Sequence, residues 1–264
     1  MNLGLKGKRA LVTGSTAGIG FAAARLLAEE GAEVVVNGRT QARVDEAMAK
    51  IRETVPDARL TGVAADLGTA VGVRHLLEQA PEMDVLVNNV GIFEPKAFED
   101  IPDEDWLKFF EVNVLSGVRL SRAYLPGMRT RNWGRIVFIS SESAVQIPAE
   151  MIHYGMTKTA QVAVARGLVE TTAGTGVTVN TVLPGPTGSE GVATFVSQLA
   201  KERGMDFAEM ERDFFAHARP SSLLQRFATP DEVASMIVYV CSDRSAATNG
   251  AALRVDGGVV RALL

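Results

Sequence analysis

Short, almost wholly apolar runs alternate with longer amphipathic ones along the chain, and this alternation restricts what it can fold into. "KRALVTG", "AEVVVNG", "ARLTGVAAD", "DVLVNN", "GRIVFISS", "GVTVNTVLPG" and "AALRVDGG" read as strands. "GIGFAAARLLAEEG", "TQARVDEAMAKIRETV", residues 68–80, "PDEDWLKFFEVNVLSGVRLSRAYLPGM", residues 153–173 and "DEVASMIVYVCSD" read as helices between them. A strand with one wet face alternates apolar and polar residues. These strands barely alternate, so both of their faces must be covered, which is the condition of a parallel sheet in an α/β fold.

Two places depart from the rhythm. Pro126 is expected to end the long helix near residue 125, because proline removes a backbone donor and clashes with the preceding turn. Residues 185–225 follow the sixth strand, at the carboxyl end of the sheet, and read as a helical lid. No Gly/Ser/Pro-rich linker and no repeat divides the 264 residues, so one domain over 1–264 is expected.

Composition narrows the class further. A net charge of −4 with interspersed signs leaves no basic footprint for nucleic acid. The charge-free run at 171–189 carries two prolines and many Thr and Gly, so a membrane span is not expected. The start lacks a signal-peptide pattern, and the lone cysteine, Cys241, fits a reducing compartment; a cytoplasmic location is the expectation. His75, His153 and His217 lack ligand spacing, and no metal site is expected.

Two short motifs carry chemistry. "LVTGSTAGIG" sets Gly14, Gly18 and Gly20 between a strand and a helix, where glycines let the backbone approach a pyrophosphate seated on the helix amino end. "HYGMTK" sets Tyr154 and Lys158 four residues apart on one face of a helix. Spacing alone leaves that pair open: it fits a solvated surface pair as well as a proton donor with an electrostatic partner.

Together with "NNVG" at 88–91, Asn113, "SS" at 140–141 and "LPGPTGS", these motifs stand in the order and spacing of the short-chain dehydrogenase/reductase family, which the chain resembles from residue 8 to the closing "VDGG". The resemblance implies a doubly wound, three-layer Rossmann fold with seven parallel strands, an NAD(P) cofactor and a catalytic set of Asn113, Ser141, Tyr154 and Lys158. It places the cofactor on Gly14, Ser15, Thr16, Gly18, Ile19 and Gly20, on Asn88 and Gly91, on Tyr154 and Lys158, and on Pro184, Gly185, Thr187 and Ser189. Asp66, with Leu67 beside it, resembles the family's acid that meets the adenine; a plain helix-start acid is the other reading. At the end of the second strand Gly38 stands where NAD-preferring relatives carry an acid, and Arg39 follows. That favours NADP over NAD, although Arg39 also reads as a solvated turn residue.

The roles follow from what carbonyl reduction needs: hydride to carbon and a proton to oxygen. A free phenol with a pKa near 10 is a poor donor, and an ammonium nearby favours its ionised form. Tyr154 is thus read as the proton donor, Lys158 as its electrostatic partner and a ribose contact, and Ser141 as the holder of the substrate oxygen. The family's asparagine, here Asn113, holds a relay water with its main chain; a solvent-facing side chain is the alternative. The lid residues Val192, Phe195, Val196, Leu199, Phe207, Met210, Phe214 and Phe215, with Ile147, Met151 and Ile152, suggest packing and a partly apolar pocket. The expected partner is a small carbonyl or alcohol, and the resemblance suggests a homotetramer or homodimer. Two other activities fit the motifs. One is 3-oxoacyl-carrier reduction, with Arg129 and Arg131 as docking cations; the other is a non-catalytic cofactor-binding regulator.

Overall fold

The computed structural model describes residues 2–192 and 204–263. Seven parallel strands form one sheet in the order β3-β2-β1-β4-β5-β6-β7. They are β1 (Arg9–Val12), β2 (Glu33–Gly38), β3 (Arg59–Ala64), β4 (Val85–Asn88), β5 (Gly134–Ile139), β6 (Val177–Pro184) and β7 (Ala252–Val255). The strand order reverses between β1 and β4, which opens a crevice beyond their carboxyl ends.

The weak alternation within the strands has its cause in two apolar faces. Successive side chains point to opposite sides of a strand, so each strand is shared between two cores. Ala10, Val12, Val85, Val87, Val137 and Ile139 face one side and pack with Ala23 and Leu27 of α1 (Gly18–Glu29) and with Ile237 and Val240 of the C-terminal helix Pro230–Cys241. Leu11, Leu86, Ile136 and Phe138 face the other, against α3 (Ala70–Gln79), α5 (Ser116–Thr130) and α6 (Ile152–Glu170). Phe138 sits so close to α5 that a Cβ on Gly117 would stand 2.7 Å from its ring. Removing such a buried ring typically costs 3–5 kcal/mol.

Helix ends obey local chemistry. Thr69 caps α3 by accepting from the Gly72 amide at 3.0 Å. The C-terminal helix opens on "TPDE", with Pro230 in its first turn and a reciprocal Thr229–Glu232 capping box. α2 (Gln41–Thr54) covers the outer edge of the sheet.

The expected long helix at 103–125 is corrected in two respects. It starts as α4 (Asp103–Phe110), widens through a π-helical turn at Glu111–Leu115 and resumes as α5. It then runs past Pro126 to Thr130. Pro126 lies on the exposed side with Arg122, so the carbonyl its ring leaves without a partner faces water. The helix expected at 153–173 ends at Glu170. Within 185–225, the helix Phe207–His217 begins with an Asp206–Glu209 capping box, and Phe195, Val196 and Leu199 fall outside the described residues. Among the described residues no helix is long and apolar enough to cross a membrane.

Candidate active site

One cavity of about 820 Å³ opens at the carboxyl ends of β1, β4, β5 and β6. Its first wall is the glycine turn after β1. Gly14 and Gly18 take φ of +60° and +56°, a region that disfavours side chains. A Cβ on Gly20 would lie 2.5 Å from the Gly14 carbonyl oxygen. Helix α1 begins here without a side-chain cap and without an acid in its first turn. Its leading amides therefore face the cavity unanswered by the chain, and they suit the pyrophosphate of a dinucleotide.

Three side chains brace this turn. Asn37 accepts from the Gly14 amide at 3.1 Å and donates to the Val63 and Ala65 carbonyls. Thr13 Oγ1 accepts from the Asn89 and Val90 amides at 2.8 and 3.0 Å. Asn89 Nδ2 donates to the Thr13 and Gly14 carbonyls at 2.9 and 3.1 Å. Neither Asn37 nor Asn89 stands out in the sequence. For the buried Asn37 the available signal was an amide at a strand end, which must be bonded, and for Asn89 it was its place in "NNVG".

Of the residues expected at the cofactor, Gly18, Ile19, Gly20, Gly91, Tyr154, Lys158, Pro184, Gly185, Thr187 and Ser189 line this cavity. Several others lie behind it. The buried Ser15 hydroxyl donates to the Val12 carbonyl and accepts from the Asn37 amide. Asn88 turns toward α5 and donates to Ser121 at 3.3 Å, so its neighbour Asn89 is the one in the cavity. Thr16 packs on the edge of Gly38. Leu67 is buried, and Asp66 accepts from the Gly68 amide at 3.0 Å in a local turn. Arg39 is exposed beyond the end of β2, and no carboxylate among the described residues pairs with it.

The second wall brings the other candidates together. Asn113 sits in the π-helical turn, an insertion often found at working sites. Its side chain bonds both backbone groups of Ile92 and the Thr157 hydroxyl, while its main-chain carbonyl accepts from Gln161 Nε2 at 2.6 Å. The side chain is thus buried and fully engaged rather than solvent-facing, and the main-chain carbonyl expected to hold a relay water is met by Gln161. Ser141 ends β5 and accepts from the Ser143 amide at 3.1 Å. Tyr154 projects from α6 into the cavity, edge-on to Phe93. Lys158 Nζ stands 5.5 Å from the Tyr154 ring centroid and donates to the Ile139 carbonyl at 3.0 Å.

Burial dominates the electrostatics. It raises the Tyr154 phenol well above its ordinary range, and the Glu142 carboxylate adds to the rise. The downward contributions come from the neighbouring Ser141 hydroxyl and the charge of Arg219, whereas the sequence points to Lys158 for that role. The reason is geometric: the ammonium is drawn to the Ile139 carbonyl rather than to the phenol oxygen. Burial also brings Lys158 down to about 8, against a smaller upward pull from Glu142. The phenol is consequently protonated near neutral pH, with a proton to give. Cys241 is no rival: it is buried in the core, and burial pushes its thiol up to about 12.

Two charged residues in this wall escape sequence reading, Glu142 and Arg219. Both are buried, and Arg219 Nε donates to Glu142 Oε1 at 3.1 Å. An acid placed directly after a strand-end serine was the available signal. Beyond them the cavity mixes apolar side chains, Met151, Val192, Met210, Phe214 and Phe227, with the polar Glu150, Asp213 and His217. Phe207 and Ile147 are exposed instead, Phe215 is buried in the aromatic cluster beneath, and Ile152 does not line the cavity. Among the described residues, no group of three or more His, Cys, Asp or Glu converges as a metal site would require.

Comparison with known proteins agrees with this geometry. Residues 8–200 match the model of the short chain dehydrogenase family. The chain is 48% identical over 263 residues to the oxidoreductase YvaG of Bacillus subtilis, itself described as uncharacterized, and the match covers 100% of both chains. It is 34% identical over 260 residues to a D-beta-hydroxybutyrate dehydrogenase of Cupriavidus necator, covering 97% of this chain and 99% of the other. Among solved structures, L-sorbose reductase of Gluconobacter frateurii, complexed with NADPH and L-sorbose, superposes with a TM-score of 0.94 at 32% identity and 100% coverage of both.

Proposed function

The chain belongs to the short-chain dehydrogenase family of oxidoreductases, and from that membership we propose that it interconverts a small ketone and a secondary alcohol with NADP(H), using Tyr154 as proton donor and acceptor. The observation carrying this reading is that a single cavity joins the uncapped start of α1 to Ser141, Tyr154 and Lys158. A bound dinucleotide supplies the hydride exchanged with the carbonyl carbon. The Tyr154 phenol holds the proton for the oxygen, and its position beside Ser141 places that proton where the substrate oxygen docks. Lys158 keeps a positive charge beneath the phenol, which counts once the phenol has given up its proton. Thr187 and Ser189 are read as the cofactor's carboxamide contacts.

NADP is preferred over NAD on two grounds. Arg39 is exposed beyond the end of β2, where a 2′-phosphate would meet it. Gly38, the place for a ribose-binding acid, is closed: a Cβ there would stand 2.4 Å from Thr16 Cγ2. The NADPH held by the sorbose reductase supports the same choice. The cavity's far wall combines apolar side chains with Glu150, Asp213 and His217, which supports a neutral carbonyl compound able to meet polar groups as well. An acyl-carrier substrate is less favoured, because Arg131 is engaged by the Met83 carbonyl at 2.7 Å and by Asp84 at 3.5 Å. The intact Asn113, Ser141, Tyr154 and Lys158 set speaks against a non-catalytic regulator.

The test is NADPH oxidation over a panel of neutral ketones, ketoses including L-sorbose, and 3-oxoacyl esters, repeated with Tyr154→Phe. Turnover on a neutral ketone that vanishes in the variant is expected; turnover that survives in it overturns the reading. Assembly as a homotetramer or homodimer is part of the same proposal. Leu107 of α4 is 70% exposed and Phe110 38%, and Tyr239 of the C-terminal helix is 40% exposed. Light scattering should give a multiple of the 28.1 kDa chain mass, and a stable monomer would refute the assembly.

A further inference from the structure

Directly after β5 the chain turns through Ser141 into Glu142, whose carboxylate is only 5% exposed. Each of its oxygens has one partner. Oε2 accepts from the Ser141 hydroxyl, and Oε1 accepts from Arg219 Nε at 3.1 Å. Arg219 is 9% exposed and comes from the inserted segment, just beyond the helix Phe207–His217. Its other donors reach Glu150 Oε1 at 3.3 Å and the Ala218 carbonyl at 2.8 Å.

A hydroxyl has one proton, and the direction in which it is given decides what the oxygen can do on its other side. Ser141 gives its proton to Glu142, so its lone pairs face the Ser143 amide and the cavity that Tyr154 also lines. A carboxylate buried beside a reacting serine is a costly arrangement unless a cation answers it, and Arg219 does so. The chain Arg219–Glu142–Ser141 thus runs from the inserted segment into the catalytic wall.

From this geometry we infer that Glu142 is a positioning residue: held by Arg219, it fixes the place of the Ser141 side chain, against which the Tyr154 phenol and the substrate oxygen are aligned. The inference rests on the proposed roles of Ser141 and Tyr154. It adds that a residue of the inserted segment, Arg219, reaches the serine through one carboxylate.

A double-mutant cycle with Ser141→Ala tests it, using NADPH and the fastest carbonyl from the panel above. Glu142→Gln keeps the shape, but with its oxygen on Arg219 it offers Ser141 an amide donor where the carboxylate offered an acceptor, so the bond that holds the serine is reversed. It should lower kcat by about tenfold to a hundredfold with little change in KM. NADPH affinity, read by fluorescence titration, should stay within about twofold, since among the described residues the Glu142 carboxylate bonds Ser141 and Arg219 and none of the glycine turn. In the Ser141→Ala background the same substitution should change the residual rate by less than about twofold, because the hydroxyl it acts through is gone. Arg219→Lys should recover part of what Arg219→Gln loses, and Arg219→Gln replaces Glu142→Gln in the cycle if that variant does not fold. Losses that multiply across the cycle, or a fall shared equally by NADPH affinity, overturn the inference. Tyr154→Phe separates the two levels: retained turnover there sinks the catalytic reading itself, whereas a multiplying cycle with an inactive Tyr154→Phe sinks only the role of Glu142.

Discussion

The two ends of the cavity are built from different materials. At the α1 end the surface is mostly backbone: two glycines at positive φ, a third pressed against a carbonyl, and helix amides with no side-chain cap. At the β5–β6 end it is mostly side chain, with charges from residues far apart in sequence meeting in a buried wall. The first end offers backbone amides to a phosphate and needs only shape. The second is assembled from side chains that meet across long sequence separations, as Glu142 and Arg219 do. Perturbing one end should therefore leave the other largely intact.

Tyr154→Phe is the strongest attempt to break that separation. Only the proton is removed, so turnover should fall by about 10²–10⁴-fold, the range of positioned acid catalysis. NADPH titration should be near wild type. A joint loss of affinity would show that the phenol belongs to both ends.

Gly20→Ala works from the opposite side. The new methyl would press on the Gly14 carbonyl and on Asn89 Nδ2, which braces the turn. Overpacking of this kind costs about 1–3 kcal/mol, and cofactor affinity should drop with it. Thermal melting with and without NADPH reads both. A variant with normal affinity would show that the turn is looser than its contacts imply.

How far each end was legible in the sequence follows the same division. Glycine spacing between a strand and a helix is local, and so is the Tyr154–Lys158 spacing on one helix; both could be read directly. Two cores sharing each strand explain why the strands could be counted from their lack of alternation. The Glu142–Arg219 contact spans 77 positions, and no local pattern announces a partner at that distance. Asn113 marks a functional turn only because the helix widens there, and the accompanying residues are ordinary helix formers. Pro126 misleads because the penalty for a helical proline depends on whether the freed carbonyl reaches water, which its own sequence position does not state.

Lys158 stands between the two ends and sharpens the comparison through pH. Its folded value of about 8 lies below the ordinary 10.5 because the ammonium is buried. Between those values the unfolded chain holds more protons than the folded one, so this group's contribution to stability rises with pH. Below pH 8 the burial costs on the order of 3 kcal/mol, and the cost is relieved as pH climbs toward 10.5. Lys158→Met lacks the buried charge, so its stability relative to wild type should be greatest below pH 8 and shrink above it. Denaturant unfolding at several pH values measures the difference. A constant gap would mean that Lys158 keeps its ordinary affinity for protons.

Arg39→Ala is the mildest and most selective probe, and it sharpens the α1 end alone. The guanidinium lies beyond β2 in solvent, so an ion pair with a 2′-phosphate there is screened, and the loss on removal should be about tenfold in NADPH affinity, on the order of 1.4 kcal/mol. NADH has no group for Arg39 to meet, so its affinity should move by no more than about twofold. The complementary route, installing an acid at Gly38, is obstructed because its Cβ would stand 2.4 Å from Thr16 Cγ2. Selectivity is therefore best altered by removing the cation rather than by adding an acid. Fluorescence titration of both reduced cofactors decides the matter. Equal losses for NADPH and NADH would reduce Arg39 to a general contributor of positive potential. A wild-type preference for NADH would overturn the assignment of the β2 end, while leaving Ser141, Tyr154 and Lys158 to be judged by their own variants.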